Sequence, residues 1–387
     1  MKGHIRERSP GRWAIILDSR DSETGVRKRK WHSFRGTKRE AQVECSKLIA
    51  AISGGTYVDP SGQTVAQFLE RWLTYMATQL SPCSHERYTE IVRRNLVPAL
   101  GAVMLTRLRS AQIAVAYTTA LASGRRDGKG GLSASTVLYM HRILKQALAQ
   151  AVAWHELARN EAATVKPPKV QRKQMKVLDS DGIADVIEEG RDTALFIPIL
   201  LGLTTGMRRG EVAALRWRHV DLDRKQISVE ESAEQTKIGV RYKAPKGGKG
   251  RMVALLASVV EELHAHRIKQ AEALLNIGIR LSDDSFVVAQ PDGSPYQPRS
   301  LTHAFEVFLA KHSLPRIRLH DLRHTHATAM LKSKIHPKIV QERLGHSTIA
   351  ITLDIYSHVL EGMQEDAAQI VDAALQAALS NRPKRIG

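Results

Sequence analysis

Cysteine, acid and long apolar runs are what this sequence has least of. Its 387 residues hold only two cysteines, Cys45 and Cys83. Two isolated thiols build neither a disulfide framework nor a cysteine-rich zinc site, and they suit a reducing cytoplasm. No stretch reaches the roughly 18 consecutive apolar residues that a spanning helix needs, so no membrane partner is expected. The opening Met1-Lys2-Gly3-His4-Ile5-Arg6 lacks the apolar segment of a secretory signal. Acidic residues number 39 against 58 lysines and arginines, a formal charge of +19. An excess of that size marks a polyanionic partner more than a merely solvated surface. Hydrophobic residues at 43% supply enough side chain for a real core.

Patterning along the chain predicts a multidomain, mainly α protein. Residues 1–58 read as a small β-rich module. Trp13–Leu17 and Arg27–Phe34 are strand-like, with turn chemistry at Asp21–Gly25 between them. The second strand carries Arg27, Lys28, Arg29 and Lys30 beside Trp31 and Phe34, a pattern suited to DNA contact. Thr37-Lys38-Arg39-Glu40 fits a capping box that opens a helix to about Ser53, where Gly54-Gly55 stops it. Residues 62–160 read as a helical domain, with helices opening near Thr64, Ser84, Ser110 and Ser133. Pro98 is expected to follow the end of the second of these. Val137, Met140, Ile143, Leu144, Ala147, Leu148 and Ala151 recur at helical spacing and mark a core face. Residues 161–176 read as a basic linker, stiffened at Lys166-Pro167-Pro168-Lys169 and charged at Arg172 and Lys173. Residues 177–387 read as a mixed, mainly α domain with a small β-sheet between about Gln226 and Leu255. Inside it, Asp192–Leu203 reads as a buried helix kinked at Pro198.

The chemistry-bearing residues fall in this last domain. Arg208 and Glu211, in Thr205-Gly206-Met207-Arg208-Arg209-Gly210-Glu211, are three apart and share a helical face. Glu211 can orient the guanidinium and leave its free edge for a phosphate. Arg209 is adjacent but out of that register. His320 and Arg323 are also three apart, in Leu319-His320-Asp321-Leu322-Arg323-His324. His320, His324 and His326 could suggest a metal cluster, but no acidic partner stands at metalloprotease spacing and no cysteine is near. His324 and His326 therefore read as structural. Gly345 marks a helix end, which puts His346 at a junction between helices. Tyr356 follows ten residues after His346. Its hydroxyl can act as a nucleophile that forms a covalent intermediate. Ala244–Leu255, with Gly247, Gly248 and Gly250, reads as a glycine-loosened hairpin that carries lysines.

Together these boxes resemble the tyrosine recombinases of the phage integrase family, over about the last 320 residues. Residues 1–58 are similar, in pattern and position, to the arm-type DNA-binding domain found on many such integrases, and residues 62–160 to their core-binding domain. The resemblance implies that Tyr356 attacks a DNA phosphodiester to give a 3′-phosphotyrosine. Arg208, Arg323, His320 and His346 would stabilise the phosphate's charge. A lysine would protonate the leaving 5′-hydroxyl. Lys246 is the match by position, with Lys249, Lys243 and Lys237 as rivals on the same segment. The same resemblance implies no metal, no ATP and no other cofactor. Its implied partners are double-stranded attachment sites, four copies of the chain in a synaptic complex, an excision factor and a DNA-bending protein. An apolar stripe from Met363 to Ala378 would dock on its own domain or on a neighbouring protomer. Integration and excision of a mobile element is the leading function. A type IB topoisomerase, a housekeeping chromosome-dimer recombinase and a non-catalytic DNA-binding regulator are the alternatives.

Overall fold

The structure is a computed structural model that describes residues 2–20, 27–54, 62–125, 127–171, 175–356 and 363–380. The turn expected at Asp21–Gly25, the linker residues Arg172 and Lys173, and Gly55 lie outside those residues. The chain divides into two compact units, Met1–Arg172 and Lys173–Gly387. Among the described residues, no helix is long and apolar enough to cross a membrane. Both cysteines are free.

The first unit holds two separate hydrophobic clusters. The smaller lies between a three-stranded antiparallel sheet, β1 (Lys2–Ser9), β2 (Arg12–Arg20) and β3 (Arg27–Arg35), and helix α1 (Lys38–Ser53). Strand β1 was not expected: Ile5 is its one large apolar residue, and the strand forms by backbone pairing with the apolar β2. The capping box at α1 is present, with the Thr37 N–H donating to Glu40 Oε2 at 2.8 Å and the Glu40 N–H to Thr37 Oγ1 at 3.3 Å.

The larger cluster is a helical bundle of α2 (Val65–Met76), α3 (Pro82–Ile91), α4 (Val97–Leu100), α5 (Ser110–Ser123) and α6 (Ala134–Ala153). Its buried stripe includes Val137, Met140, Ile143, Leu144, Ala147, Leu148 and Ala151. Pro98 does not end its helix as expected. A π turn at Val92–Leu96 joins α3 to α4 and shifts the hydrogen-bond register, and Pro98 then stands in the first turn of α4, where no N–H is required. The bundle also reaches beyond residue 160. A 3₁₀ turn at Glu161–Thr164 packs into it, with Glu161 accepting the Ser110 N–H at 3.2 Å and Ala162 fully buried.

The second unit has one main core, built from α7 (Ser180–Gly190), α8 (Phe196–Thr205), α9 (Arg209–Ala214), α10 (Ala257–Leu275), α11 (Pro298–Lys311) and α12 (Leu319–Lys332). Helix α13 (Pro337–Leu344) and helix α14 (Ile349–Tyr356) follow, and Val340, Leu344 and Tyr356 form a smaller cluster with Ala327 and Leu331 of α12. The last helix is α15 (Met363–Ser380). Pro198 does not kink α8. The helix begins at Phe196, so the proline falls in the first turn, where its missing donor is harmless.

The β section departs from the expected hairpin. Strands β4 (Val220–Asp221), β5 (Gln226–Val229) and β8 (Arg251–Ala254) form one sheet. Strands β6 (Ser232–Gln235) and β7 (Val240–Lys243) form another. Thus β7 and β8 do not pair, and the glycine-rich segment 244–250 crosses from one sheet to the other. Inside it the Gly248 N–H donates to the Pro245 carbonyl at 2.9 Å, and Gly247 and Gly248 take positive φ.

Candidate active site

Helix ends assemble the site. Helix α8 stops at Gly206, whose φ of +66° is the left-handed conformation that glycine adopts without penalty. A side chain there would also collide with Leu344 and His326. The turn leaves Arg208 just before α9, one residue outside the helix in which it was expected. Its backbone N–H donates to Glu211 Oε2 at 2.8 Å, and its Nη1 to Glu211 Oε1 at 2.8 Å. Arg208 and Glu211 thus meet through a helix cap rather than along a helical face. Arg209 points elsewhere, onto the Thr302 hydroxyl of α11.

Helix α13 ends on the other side of the site, at Gly345 with φ +65°. Its last carbonyls take the two arginines. Arg208 Nη2 donates to the Gly345 oxygen at 2.9 Å, and Arg323 Nη2 to the Leu344 oxygen at 2.7 Å. Arg323 Nη1 reaches the Gly206 oxygen at 2.5 Å. The negative end of a helix dipole is a natural seat for cations. Two guanidiniums separated by 115 positions in sequence (208 and 323) are therefore fixed by adjacent peptide groups.

A third arginine belongs to this cluster, and spacing did not reveal it. Arg251, at the start of β8, donates to both oxygens of Glu211 at 3.0 and 2.7 Å and through Nε to the Arg343 carbonyl at 2.8 Å. Glu211 is 1% exposed. Burial raises its pKa, but the Arg251 hydrogen bonds and the charges of Arg251 and Arg208 outweigh that, leaving it at about 2. Burial and then the charge of Arg208 lower Arg323, to about 9, so it stays cationic at neutral pH. Glu211 thus pairs with Arg208 and Arg251, and Arg323 adds its charge nearby, a local excess of positive charge that favours an anion.

The histidines divide by role. His326 is a brace: its Nδ1 hydrogen-bonds the Leu203 carbonyl at 2.8 Å, and Arg343 Nε donates to its Nε2 at 3.1 Å. His346 shares a 2.9 Å hydrogen bond with the Thr352 hydroxyl, and burial followed by Arg323 and Arg208 lowers its pKa to about 4. His320 keeps a solvent-facing edge. Burial of the rest of its ring, then His324 and Arg323, also lower it to about 4. Its ring stands edge-on to His324, with centroids 4.9 Å apart. His324, read from sequence as structural, shares a 2.8 Å hydrogen bond with the Tyr356 hydroxyl. Tyr356 is fully buried, and burial pushes its pKa up to about 12, with Arg323 opposing.

Lys246 is exposed on the segment between β7 and β8. Of its rivals, Lys243 is held by Glu234. Among the described residues, no three of His, Cys, Asp and Glu converge as a metal would need. The first unit has basic residues of its own. Arg29 is exposed and paired with Asp18, Trp31 beside it is 52% exposed, and Lys166 and Lys169 are exposed near Pro167 and Pro168. The side chains of Arg27, Lys28 and Lys30 lie outside the described set.

Residues 177–363 match the phage integrase family. A tyrosine recombinase XerC-like protein of Caldanaerobacter subterraneus subsp. tengcongensis is 25% identical over 87% of this chain and 90% of its own length. The ICEBs1 integrase of Bacillus subtilis is 28% identical over 63% of this chain and 67% of its own. A solved structure of the Tn1549 transposon integrase in complex with a circular intermediate DNA has a TM-score of 0.66 at 19% identity, covering 80% of this chain and 100% of that one. A lambda integrase tetramer bound to a Holliday junction has a TM-score of 0.58 at 17% identity, covering 91% and 94%. The two structural likenesses carry the fold; the family match and the curated relatives carry the class. Arg208, Arg323, His320, His346 and Tyr356 all lie inside the segment that matches the phage integrase family, and the chain is a tyrosine-type site-specific recombinase.

Proposed function

We propose that this recombinase binds double-stranded attachment sites in the cytoplasm and integrates and excises a mobile element through a 3′-phosphotyrosine. The observation that carries the reading is the seating of Arg208 and Arg323 on adjacent carbonyls, with Arg208 and Arg251 both paired to the buried Glu211. A scissile phosphate supplies the missing negative charge and takes the free guanidinium edges in a fork. His320 and His346 donate to its non-bridging oxygens, and Glu211 supports by fixing Arg208. Tyr356 attacks phosphorus, and Lys246 protonates the leaving 5′-oxygen. The pairing of Lys243 with Glu234 favours Lys246 for that task, and Lys249 is the alternative. The phosphotyrosine conserves the bond energy, so the incoming 5′-hydroxyl of a second strand completes exchange without ATP. Tyr356 is enclosed by Leu331, Val340 and Leu344, so DNA must open that cover before attack.

Recombination cuts four strands, which calls for four protomers. The apolar residues Ile370, Val371, Leu375 and Leu379 of α15 are all more than half exposed, which favours docking on a neighbouring copy. The β1–β3 sheet, with Arg27, Lys28, Arg29, Lys30 and Trp31 on β3, fits a second class of DNA site, and Lys166, Lys169, Arg172 and Lys173 fit backbone tracking between domains. An excision factor and a DNA-bending protein complete the expected assembly. The XerC-like relative favours one second reading, a housekeeping chromosome-dimer recombinase.

The test is covalent capture. DNA junctions recovered from cells carrying the native element define the site, and a nicked suicide duplex of that sequence traps the adduct. Tyr356 is the linked residue, and Tyr356→Phe abolishes the adduct while DNA binding persists. Recovery of another tyrosine, or an adduct in the variant, overturns the assignment. Removing residues 1–58 spares cleavage and abolishes integration; a truncated protein that still integrates points to the housekeeping reading.

A further inference from the structure

We infer that His324 is a catalytic base of this site: its Nδ1 accepts the hydrogen bond of the Tyr356 hydroxyl and takes the phenolic proton as the oxygen attacks. The inference rests on Tyr356 being the nucleophile and adds a residue to that reading.

The geometry carries it. The Tyr356 hydroxyl and His324 Nδ1 are 2.8 Å apart, and both residues are buried, at 0% and 8% exposure. A phenol has one proton to place. Among the described residues, His324 Nδ1 is the hydrogen-bond partner at the Tyr356 oxygen. If Nδ1 carried a proton and donated, the buried phenolic O–H would be left without an acceptor, which folded proteins avoid. The satisfied arrangement is a neutral imidazole protonated on Nε2, with Nδ1 receiving the phenol's proton. Burial first, and then the charges of Arg318 and Arg323, favour the neutral ring, with Asp321 opposing. His320 is exposed, and its ring is T-shaped to that of His324.

The step balances without a further reagent. The Tyr356 O–H bond breaks and its proton moves to Nδ1. The O–P bond forms, the P–O5′ bond breaks, and the leaving oxygen is protonated by Lys246. The imidazolium is tolerated because the phosphate then offsets the neighbouring arginines and Asp321 lies on the same helix. In the second half-reaction the incoming 5′-hydroxyl returns a proton to the lysine, and the departing phenolate recovers its own from His324.

Single-turnover adduct formation by the full chain on the nicked duplex tests the assignment. His324→Asn is expected to slow it by about a hundredfold, the low end of general base effects, with unchanged DNA binding. Added imidazole restores part of the rate. Replacing Tyr356 with 3,5-difluorotyrosine, a more acidic phenol, narrows the deficit to under about tenfold because less base assistance is needed. An unchanged or faster His324→Asn enzyme means that the contact only stores the tyrosine, and overturns the inference. So does a deficit of equal size with the fluorinated phenol. If His324→Asn does not fold, ¹⁵N histidine shifts of the unmodified protein decide: an unprotonated Nδ1 at His324 supports the role, and a protonated Nδ1 in the neutral ring excludes it. An adduct in Tyr356→Phe would sink the nucleophile assignment itself, whereas loss of the adduct there with full activity in His324→Asn removes only this inference.

Discussion

The helical bundle and the recombinase site use the same pairings of arginine with carboxylate in opposite ways. On the bundle, Arg93 meets Glu70 at 2.7 Å with 61% and 43% of the side chains exposed. Arg87 and Arg94 share Glu90 at 2.7 and 2.6 Å, also in solvent. In the site, Arg251 and Glu211 meet at the same 2.7 Å with only 10% and 1% exposed. The distances match and the surroundings do not. Water screens the first set, leaves it mobile and lets any passing phosphate exchange with it. The second set is fixed by carbonyls and desolvated, so it is costly to disturb and pre-aimed at one anion. On the proposed function, attraction of DNA is expected to draw on the first kind of charge, and chemistry on the second.

Lys246 is the sharpest challenge to that division, because it is exposed and yet assigned to chemistry. Lys246→Ala is expected to leave the unfolding free energy within about 0.5 kcal/mol of the parent. Cleavage of a normal phosphodiester should fall by about 10² to 10⁴-fold, the range for a lost general acid. A 5′-thiol leaving group needs no proton and should largely rescue the variant. Equal damage on both substrates would return Lys246 to the class of exposed, exchangeable charges and move the acid to Lys249.

What the sequence disclosed follows the same line. Arg208, His320, Arg323, His346 and Tyr356 could be singled out as candidates because each stands in a short motif whose internal spacing is readable from sequence. Arg251 was not, because its partner Glu211 lies 40 positions away and only the fold joins them. The one available signal was an arginine directly after the glycine-rich segment. His324 was read as structural because sequence does not show which imidazole faces the tyrosine of another helix. The apolar periodicity of α6 was plain, whereas β1 was hidden because a strand recruited by backbone pairing needs few apolar residues of its own. The lysine segment read as a hairpin because strand propensity does not name the partner, and β8 chose β5. Pro98 and Pro198 misled because a proline's effect depends on its place in the helix.

Glu211→Gln tests the buried half directly. It keeps the shape and removes the carboxylate that pairs with Arg208 and Arg251. The expected loss is about 3–5 kcal/mol, the usual result of removing one partner of a buried pair. A urea melt at neutral pH reads it, and the adduct assay should show a parallel loss as Arg208 is released. A loss below about 1 kcal/mol would place this pair with those on the bundle surface.

Acid should do the same reversibly. Glu211 has its pKa depressed from 4.5 to about 2, so it binds fewer protons folded than unfolded. Its stabilisation is fully present above pH 4.5 and is lost as pH falls through 2. The gap corresponds to roughly 3 kcal/mol. His326, lowered to about 4 by burial and then by Arg343, acts in the same direction at higher pH. It favours the fold above its ordinary value of 6.5, and that contribution falls away toward pH 4. Urea melts between pH 7 and 2.5 should therefore decline in two stages, and Glu211→Gln should lack the lower one. A single-stage decline in the parent protein would show that Glu211 is not held as the geometry implies.

The smallest effect is expected on the bundle, and it completes the comparison. Glu70 has its carboxyl pKa lowered chiefly by the Arg93 hydrogen bond, but both side chains are largely in water. A double-mutant cycle of Arg93→Ala with Glu70→Ala should give a coupling under about 1 kcal/mol at low salt. At about 1 M salt the screening length falls to about 3 Å, and the coupling should all but vanish. The corresponding cycle on Arg251 and Glu211 should be several times larger and nearly indifferent to salt, because no ions enter where the carboxylate is 1% exposed. DNA binding gives a second measure. Arg93→Ala should weaken it slightly and equally on all sequences, if the residue meets backbone at all, since a phosphate contact carries no sequence information. A large, salt-resistant coupling at Arg93 and Glu70 would show that exposure alone does not separate the two kinds of charge, and the contrast between the regions would then rest on helix-end carbonyls rather than on burial.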